Sequence, residues 1–240
     1  MIDREIDIAT ADGPMNTFIT HPEEGGPFPV VLFYMDAPGK REELHEMARR
    51  LGSVGYYVMV PNLYYRRVRE FVMTADLRAE MMAHMNSLSN QMVCEDSAAL
   101  LTFADGEAAA SDGAVGCVGY CMSGPFALWA AAEHADVVRA AASFYGVRLH
   151  VDADDSPHTR LGDVSGELYV GAAEHDDYVP LDMVDRLEAA MQDTDVAGRV
   201  ERYWGTHHGF AFDDRPAYDR RADDRHWAAM LDLFERTLQS

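Results

Sequence analysis

The segment Gly116-Cys117-Val118-Gly119-Tyr120-Cys121-Met122-Ser123-Gly124-Pro125 constrains the fold more than any other part of the chain. An apolar run from Ala114 to Val118 ends in small residues around one cysteine, and the helix-forming run Phe126-Ala127-Leu128-Trp129-Ala130-Ala131-Ala132 follows at once. A strand that hands over to a helix in so few residues must turn tightly, pushing the central side chain out of the backbone. Such a nucleophile elbow needs little or no side chain two positions before the nucleophile and two or three after it. Gly119, Ser123 and Gly124 meet that need, with Cys121 at the centre. A helix starting behind the turn aims its free N–H groups at the sulfur and favours thiolate. The dinucleotide fingerprint G-x-G-x-x-G also sits on a strand-to-helix turn, but Gly116, Gly119 and Gly124 do not keep its register.

The flanking pattern predicts an α/β fold with a mainly parallel central sheet and helices on both faces. Ile2 to Ile8 and Met15 to Ile19 read as a hairpin around Asp12-Gly13-Pro14. Buried strands are expected at 30–35, 56–60, 114–118, 140–145, 166–171 and 200–204. Helical spacing covers 42–51, a stretch from 73 to 103 broken near 86–90, then 181–191 and 222–238. In such sheets ligands bind beyond the carboxyl ends of the strands, so partners for Cys121 belong on that edge.

With 240 residues and 48% hydrophobic content, the chain is expected to form a single domain over 1–240. Its 20 basic against 41 acidic residues give a net charge of −21, and Lys40 is the only lysine. That field repels nucleic acid and anionic membranes, so neither is an expected partner. The acidic start Met1-Ile2-Asp3-Arg4-Glu5 lacks the form of a signal peptide, and three cysteines, an odd number, suit a reducing cytoplasm. Cys94 and Cys117 lie in apolar runs and read as packing residues. No H-E-x-x-H or similar ligand spacing is present, so neither a metal nor a cofactor is expected. A monomer or homodimer fits equally well.

A cysteine nucleophile needs a base, and the base needs an orienting group. His207 and His208 directly follow the last predicted strand; Gly209 gives His208 the freer backbone. His45, His84, His134 and His226 fall on helices, where solvated or packed roles suit them better. Glu174, Asp176 and Asp177 follow the strand 166–171 on the same edge, and all three are candidate orienters. The chain order nucleophile, acid, histidine is that of α/β-hydrolases.

Taken together these segments resemble the dienelactone hydrolase family of α/β-hydrolases over nearly the whole chain. Gly119-Tyr120-Cys121-Met122 is similar to its G-Y-C-L/M elbow, Asp176-Asp177-Tyr178-Val179-Pro180 to its D-x-x-V-P, and His208-Gly209-Phe210-Ala211 to its H-x-F-A. Asn62-Leu63-Tyr64-Tyr65-Arg66 resembles its D-L-Y-x-R. The resemblance selects Asp176 and His208 and implies an α/β-hydrolase that cleaves carboxylic esters or lactones. Cys121 would attack the carbonyl to form a thioester, with the oxyanion held by the backbone N–H groups of Ala37 and Met122. The family's glutamate after the first long strand is replaced here by Asp36, expected to assist. Where members specialised for dienelactones carry an arginine, this chain has Phe212. Tyr65, Arg66, Phe210 and Phe212 are therefore candidate substrate contacts. A non-catalytic small-molecule-binding protein on the same scaffold is the alternative.

Overall fold

Charged and apolar residues alternate from Ile2 onward, and the chain begins with a hairpin whose outer strand is half wet. The computed structural model describes residues 1–239. Strands β1 (Ile2–Thr10) and β2 (Gly13–His21) pair antiparallel, with Ile8 opposite Met15 and Thr10 opposite Gly13. Asp3, Glu5 and Asp7 are exposed, whereas β2 is buried from Met15 onward. By contact pattern the chain divides into two compact units, Met1–Val115 and Gly116–Ser240.

In the first unit, β3 (Val30–Tyr34) and β4 (Tyr57–Pro61) are buried at every position and pair in parallel. Such uniformly apolar runs can only be strands covered on both faces. Between them, α1 (Glu42–Gly52) buries Leu44, Met47, Ala48 and Leu51, the stripe its spacing predicts. The strands lie in the order β1-β2-β4-β3, with β2 antiparallel to β4. The long helical stretch splits into α2 (Arg78–Met85) and α3 (Asn90–Asp105). Ser89 starts α3 by accepting a bond from Met92 N at 3.2 Å, a regular N-cap.

The second unit opens at β5 (Val115–Tyr120), followed by α4 (Gly124–Glu133), β6 (Val138–Phe144) and β7 (Glu167–His175). Helix α5 (Leu181–Asp193), β8 (Gly198–His207) and α6 (Arg220–Leu238) complete it. The strand order is β5-β6-β7-β8, and both β6–β7 and β7–β8 are parallel. With β1–β2 and β2–β4 antiparallel and β3–β4, β6–β7 and β7–β8 parallel, the pairing agrees with the mainly parallel sheet expected. Gly116 in β5 lets α6 approach closely: a Cβ there would stand 2.9 Å from Leu238 Cδ1 and 3.1 Å from Phe234 Cε1.

Strands β7 and β8 run further than their apolar stretches predict. The ladder continues to His175 opposite His207. Backbone hydrogen bonding has no need of apolar side chains near the end of a sheet, so polarity did not mark the true ends. Glu174 accordingly lies inside β7 rather than in the loop after it, and its carboxylate accepts a bond from Gly205 N at 2.6 Å. Pro180 is the cap before α5, whose helix begins at Leu181 as its spacing predicts. Among the described residues no helix is long and apolar enough to cross a membrane.

Candidate active site

The elbow is as tight as its small residues demand. Cys121 sits at φ 55°, a left-handed conformation that costs a non-glycine residue about 1–3 kcal/mol and persists only when its surroundings enforce it. They do. A Cβ on Gly119 would lie 2.1 Å from Ser123 O, and one on Gly124 would lie 2.5 Å from Gly146 Cα. Ser123 Oγ accepts from Tyr120 N at 2.9 Å and donates to Tyr120 O at 3.0 Å, closing the turn on itself. Val147 N donates to Cys121 O at 3.0 Å. Residues Cys121–Ser123 form one 3-10 turn that runs into α4, with Pro125 in the first helical turn where its missing N–H costs nothing. Cys121 is partly exposed while Cys94 and Cys117 are buried.

His208 is the first residue beyond β8, and Gly209 at φ 89° makes the sharp exit possible. Its Nδ1 donates to Asp176 Oδ2 at 2.7 Å. Asp176 has a fully buried side chain, and its other oxygen accepts from Tyr178 N at 2.9 Å and Val179 N at 3.1 Å. Three donors hold this buried carboxylate in place, and it in turn fixes the imidazole's tautomer. Burial pulls the His208 pKa down, but its hydrogen bond to Asp176 and its interaction with Cys121 outweigh it and lift it to about 9. The ring edge packs at 5.0 Å from both Tyr145 and Tyr178. Its Nε2 is buried without a geometrically complete hydrogen bond, so its pull on the sulfur is electrostatic at rest. By contrast His207 is the exposed end of β8, its ring 5.1 Å from that of His175, and Asp177 is exposed. Among the described residues, no group of three or more acidic, His or Cys side chains is arranged to hold a metal ion.

The model of the dienelactone hydrolase family matches residues 15–238. The chain belongs to that family. A relative from Methylorubrum extorquens, named "Putative carboxymethylenebutenolidase", is 28% identical over 98% of this chain and 81% of its own. Among solved structures, the "Putative Dienelactone Hydrolase" of Klebsiella pneumoniae superposes with a TM-score of 0.87 at 22% identity, covering 97% of this chain and 98% of that one. A dienelactone hydrolase-like promiscuous phosphotriesterase from metagenomic libraries gives 0.82 at 19% identity, over 98% of each chain. At such identities the structures establish a shared α/β-hydrolase fold.

Other positions singled out by the dienelactone hydrolase resemblance divide between the two units. In the second, Met122 is buried in the turn after Cys121. Phe210 and Phe212 are fully buried, so they back the site rather than line it, contrary to their expected role as substrate contacts. Their rings pack on Tyr145, which itself packs on His208. An aromatic residue after a catalytic loop looks the same in sequence whether it faces ligand or core.

In the first unit, Asp36 and Ala37 open a tight turn in which Gly39 N donates to Asp36 O at 2.9 Å. The fully buried Asp36 carboxylate pairs with Arg41 at 2.5 Å, and Arg41 also binds Glu43. Tyr64 OH holds the carbonyl of Ala37 at 2.8 Å. Tyr65 and Arg66 both spend their polar groups on buried Asp96: the hydroxyl at 2.8 Å and the guanidinium through two bonds of 2.8 and 2.9 Å. Arg66 also reaches Asp12 at 2.6 Å. These partners explain the pair as a polar clasp within its unit.

The partners of one packed histidine were not foreseen from sequence. His226, placed on a helix as a solvated or packed residue, is fully buried, bonded through Nε2 to Tyr120 OH at 2.8 Å and through Nδ1 to Asp223. A signal was available: His226 falls on the same α6 stripe as Trp227, Met230, Leu233 and Phe234. A histidine on a buried stripe requires polar partners.

Proposed function

We propose that this protein hydrolyses carboxylic esters or lactones, with Cys121 as nucleophile, His208 as acid and base, and Asp176 as the orienting carboxylate. The observation that carries the reading is a cysteine held at a left-handed elbow in the same unit as an imidazole anchored by a buried aspartate. With its pKa lifted to about 9, His208 is protonated at neutral pH and stabilises a thiolate beside it.

The chemistry follows in two halves. The thiolate attacks the carbonyl carbon, and the carbonyl electrons move onto oxygen, where the N–H of Met122 behind the nucleophile receives the charge. Collapse expels the alkoxide, which takes a proton from the His208 imidazolium and leaves a thioester. The neutral imidazole then takes a proton from water, and the hydroxide attacks the thioester carbonyl. Thiolate departs, the acid is released, and the imidazolium is restored. In a lactone the freed alcohol stays tethered until the second half releases a hydroxy acid. Asp176 keeps Nδ1 protonated and Nε2 aimed at the sulfur throughout.

The relative named for carboxymethylenebutenolidase makes an unsaturated lactone one substrate to try. The arginine of dienelactone-specialised members is missing at position 212, which removes a carboxylate contact and makes uncharged esters the better class. The test is hydrolysis of p-nitrophenyl acetate and of a dienelactone by the wild type and by Cys121→Ala. Turnover by the wild type alone supports the reading, and the ratio of the two substrates ranks the classes. No turnover of either, together with a Cys121 that does not react with iodoacetamide at neutral pH, overturns it.

A further inference from the structure

Tyr120 ends β5 and immediately precedes Cys121. Its ring is fully buried, with ring centres 5.4 Å from Phe144 and 5.3 Å from Phe212. Its hydroxyl meets His226 Nε2 at 2.8 Å. On the far side of that imidazole, Nδ1 lies 3.0 Å from the carbonyl oxygen of Asp223 and 3.1 Å from its Oδ1. Both oxygens accept only, so Nδ1 carries the proton. In the neutral ring Nε2 is then an acceptor, and Tyr120 is the donor.

The same acidic residue gathers the segment that carries His208. Tyr218 OH donates to Asp223 Oδ2 at 3.3 Å, and Asp219 N donates to Phe210 O at 3.0 Å. Asp219 also caps α6 by accepting from Ala222 N at 2.9 Å. One buried point, Asp223 with His226, is therefore tied both to the strand end bearing the nucleophile and to the loop bearing the base.

Resting on the hydrolase reading above, we infer that Tyr120 and His226 are positioning residues for the reaction, their hydrogen bond keeping the Cys121 elbow in register with the His208 loop. A left-handed cysteine needs such over-determination. Displacement of a reacting atom by 1 Å costs on the order of 100-fold in rate.

The geometry sets an order among variants that simple packing does not. The amide of glutamine reaches where Nε2 stands and can still accept from Tyr120, whereas the amide of asparagine reaches only where Nδ1 stands and keeps Asp223 alone. Ester hydrolysis should be measured for Tyr120→Phe, His226→Asn and His226→Gln, with kcat referred to folded protein from near-ultraviolet circular dichroism. Tyr120→Phe is expected to lower kcat about tenfold with KM within about twofold, the sign of an interaction felt in the transition state. His226→Asn should match it, and His226→Gln should recover to within about threefold of wild type.

A Tyr120→Phe enzyme within twofold of wild type overturns the inference. Equal losses in the two His226 variants, or losses that disappear once kcat is referred to folded protein, overturn it too. Should Tyr120→Phe not fold, the ranking of the two His226 variants decides alone. Failure of the hydrolase reading looks different: the wild type itself then shows no Cys121-dependent turnover, and this inference falls with it.

Discussion

Two consecutive residues of the second unit, Tyr120 and Cys121, each belong with a histidine that is held by an aspartate. Cys121 goes with His208 and Asp176, Tyr120 with His226 and Asp223. The pairs are built alike, with Nδ1 on the carboxylate at 2.7 Å in one and 3.1 Å in the other. They differ in access and in what stands at Nε2. The His208 side chain keeps 13% of its surface open and acts on a sulfur, whereas His226 is sealed and meets a phenol. An aspartate-held imidazole is thus not by itself a catalyst. Under the proposed function it becomes one when a nucleophile and a route for substrate are added, whereas in the sealed pair the same hydrogen bonds hold two segments together.

The contrast can be tested at several strengths. Cys121→Ala should remove measurable ester hydrolysis, by about 10,000-fold or more, since a nucleophile's loss typically disables its whole catalytic unit. Asp176→Asn should follow at about 100- to 10,000-fold, because an amide there permits the wrong imidazole tautomer. The same exchange in the sealed pair, Asp223→Asn, is expected to stay within about threefold, since the amide oxygen and the Asp223 carbonyl still accept from His226. Matched steady-state assays of the two Asn variants check this, and equal losses would erase the distinction.

A pH prediction sharpens it further. The folded-state pKa of His208, about 9, lies above the ordinary 6.5. Its contribution to stability is therefore complete below about 6.5 and lost as pH rises through about 9, a swing on the order of 3 kcal/mol at most. Thermal melts at pH 7 and pH 10 should differ more for the wild type than for His208→Gln, and kcat/KM should fall on the alkaline side near pH 9. The smallest effect is assigned to His207→Ala, expected within about twofold in kcat/KM, because this residue is exposed at the end of β8 while its neighbour His208 takes the bond to Asp176.

Much of this was legible in the chain itself. The apolar runs of β3, β4 and β5, the stripe of α1 and the small residues of the elbow each follow from a local rule, so sequence reading placed them to within a residue or two. His208 was preferred to His207 on the backbone freedom of Gly209 together with the family resemblance, and it is His208 that bonds Asp176. The ends of β7 and β8 were not legible, since ladder hydrogen bonds carry the pairing past the last apolar side chain. Nor was the joining of Tyr120 to His226, separated by 106 positions, because nothing in either neighbourhood names the other. Phe210 and Phe212 failed for a related reason: aromatic character says that a ring is covered, not whether substrate or core does the covering.

The closeness of Gly119, Gly124 and Gly146 at the elbow has a practical consequence for anyone wishing to change what this enzyme accepts. An added methyl at Gly119 or Gly124 would collide with backbone atoms, and one at Gly146 with the Ser143 hydroxyl and Gly124 Cα. Libraries built across these positions would be filled with misfolded members. Mutational diversity is better placed on residues that have both exposure and slack, such as Tyr178, which is 58% exposed and whose ring already packs edge-to-face with that of His208.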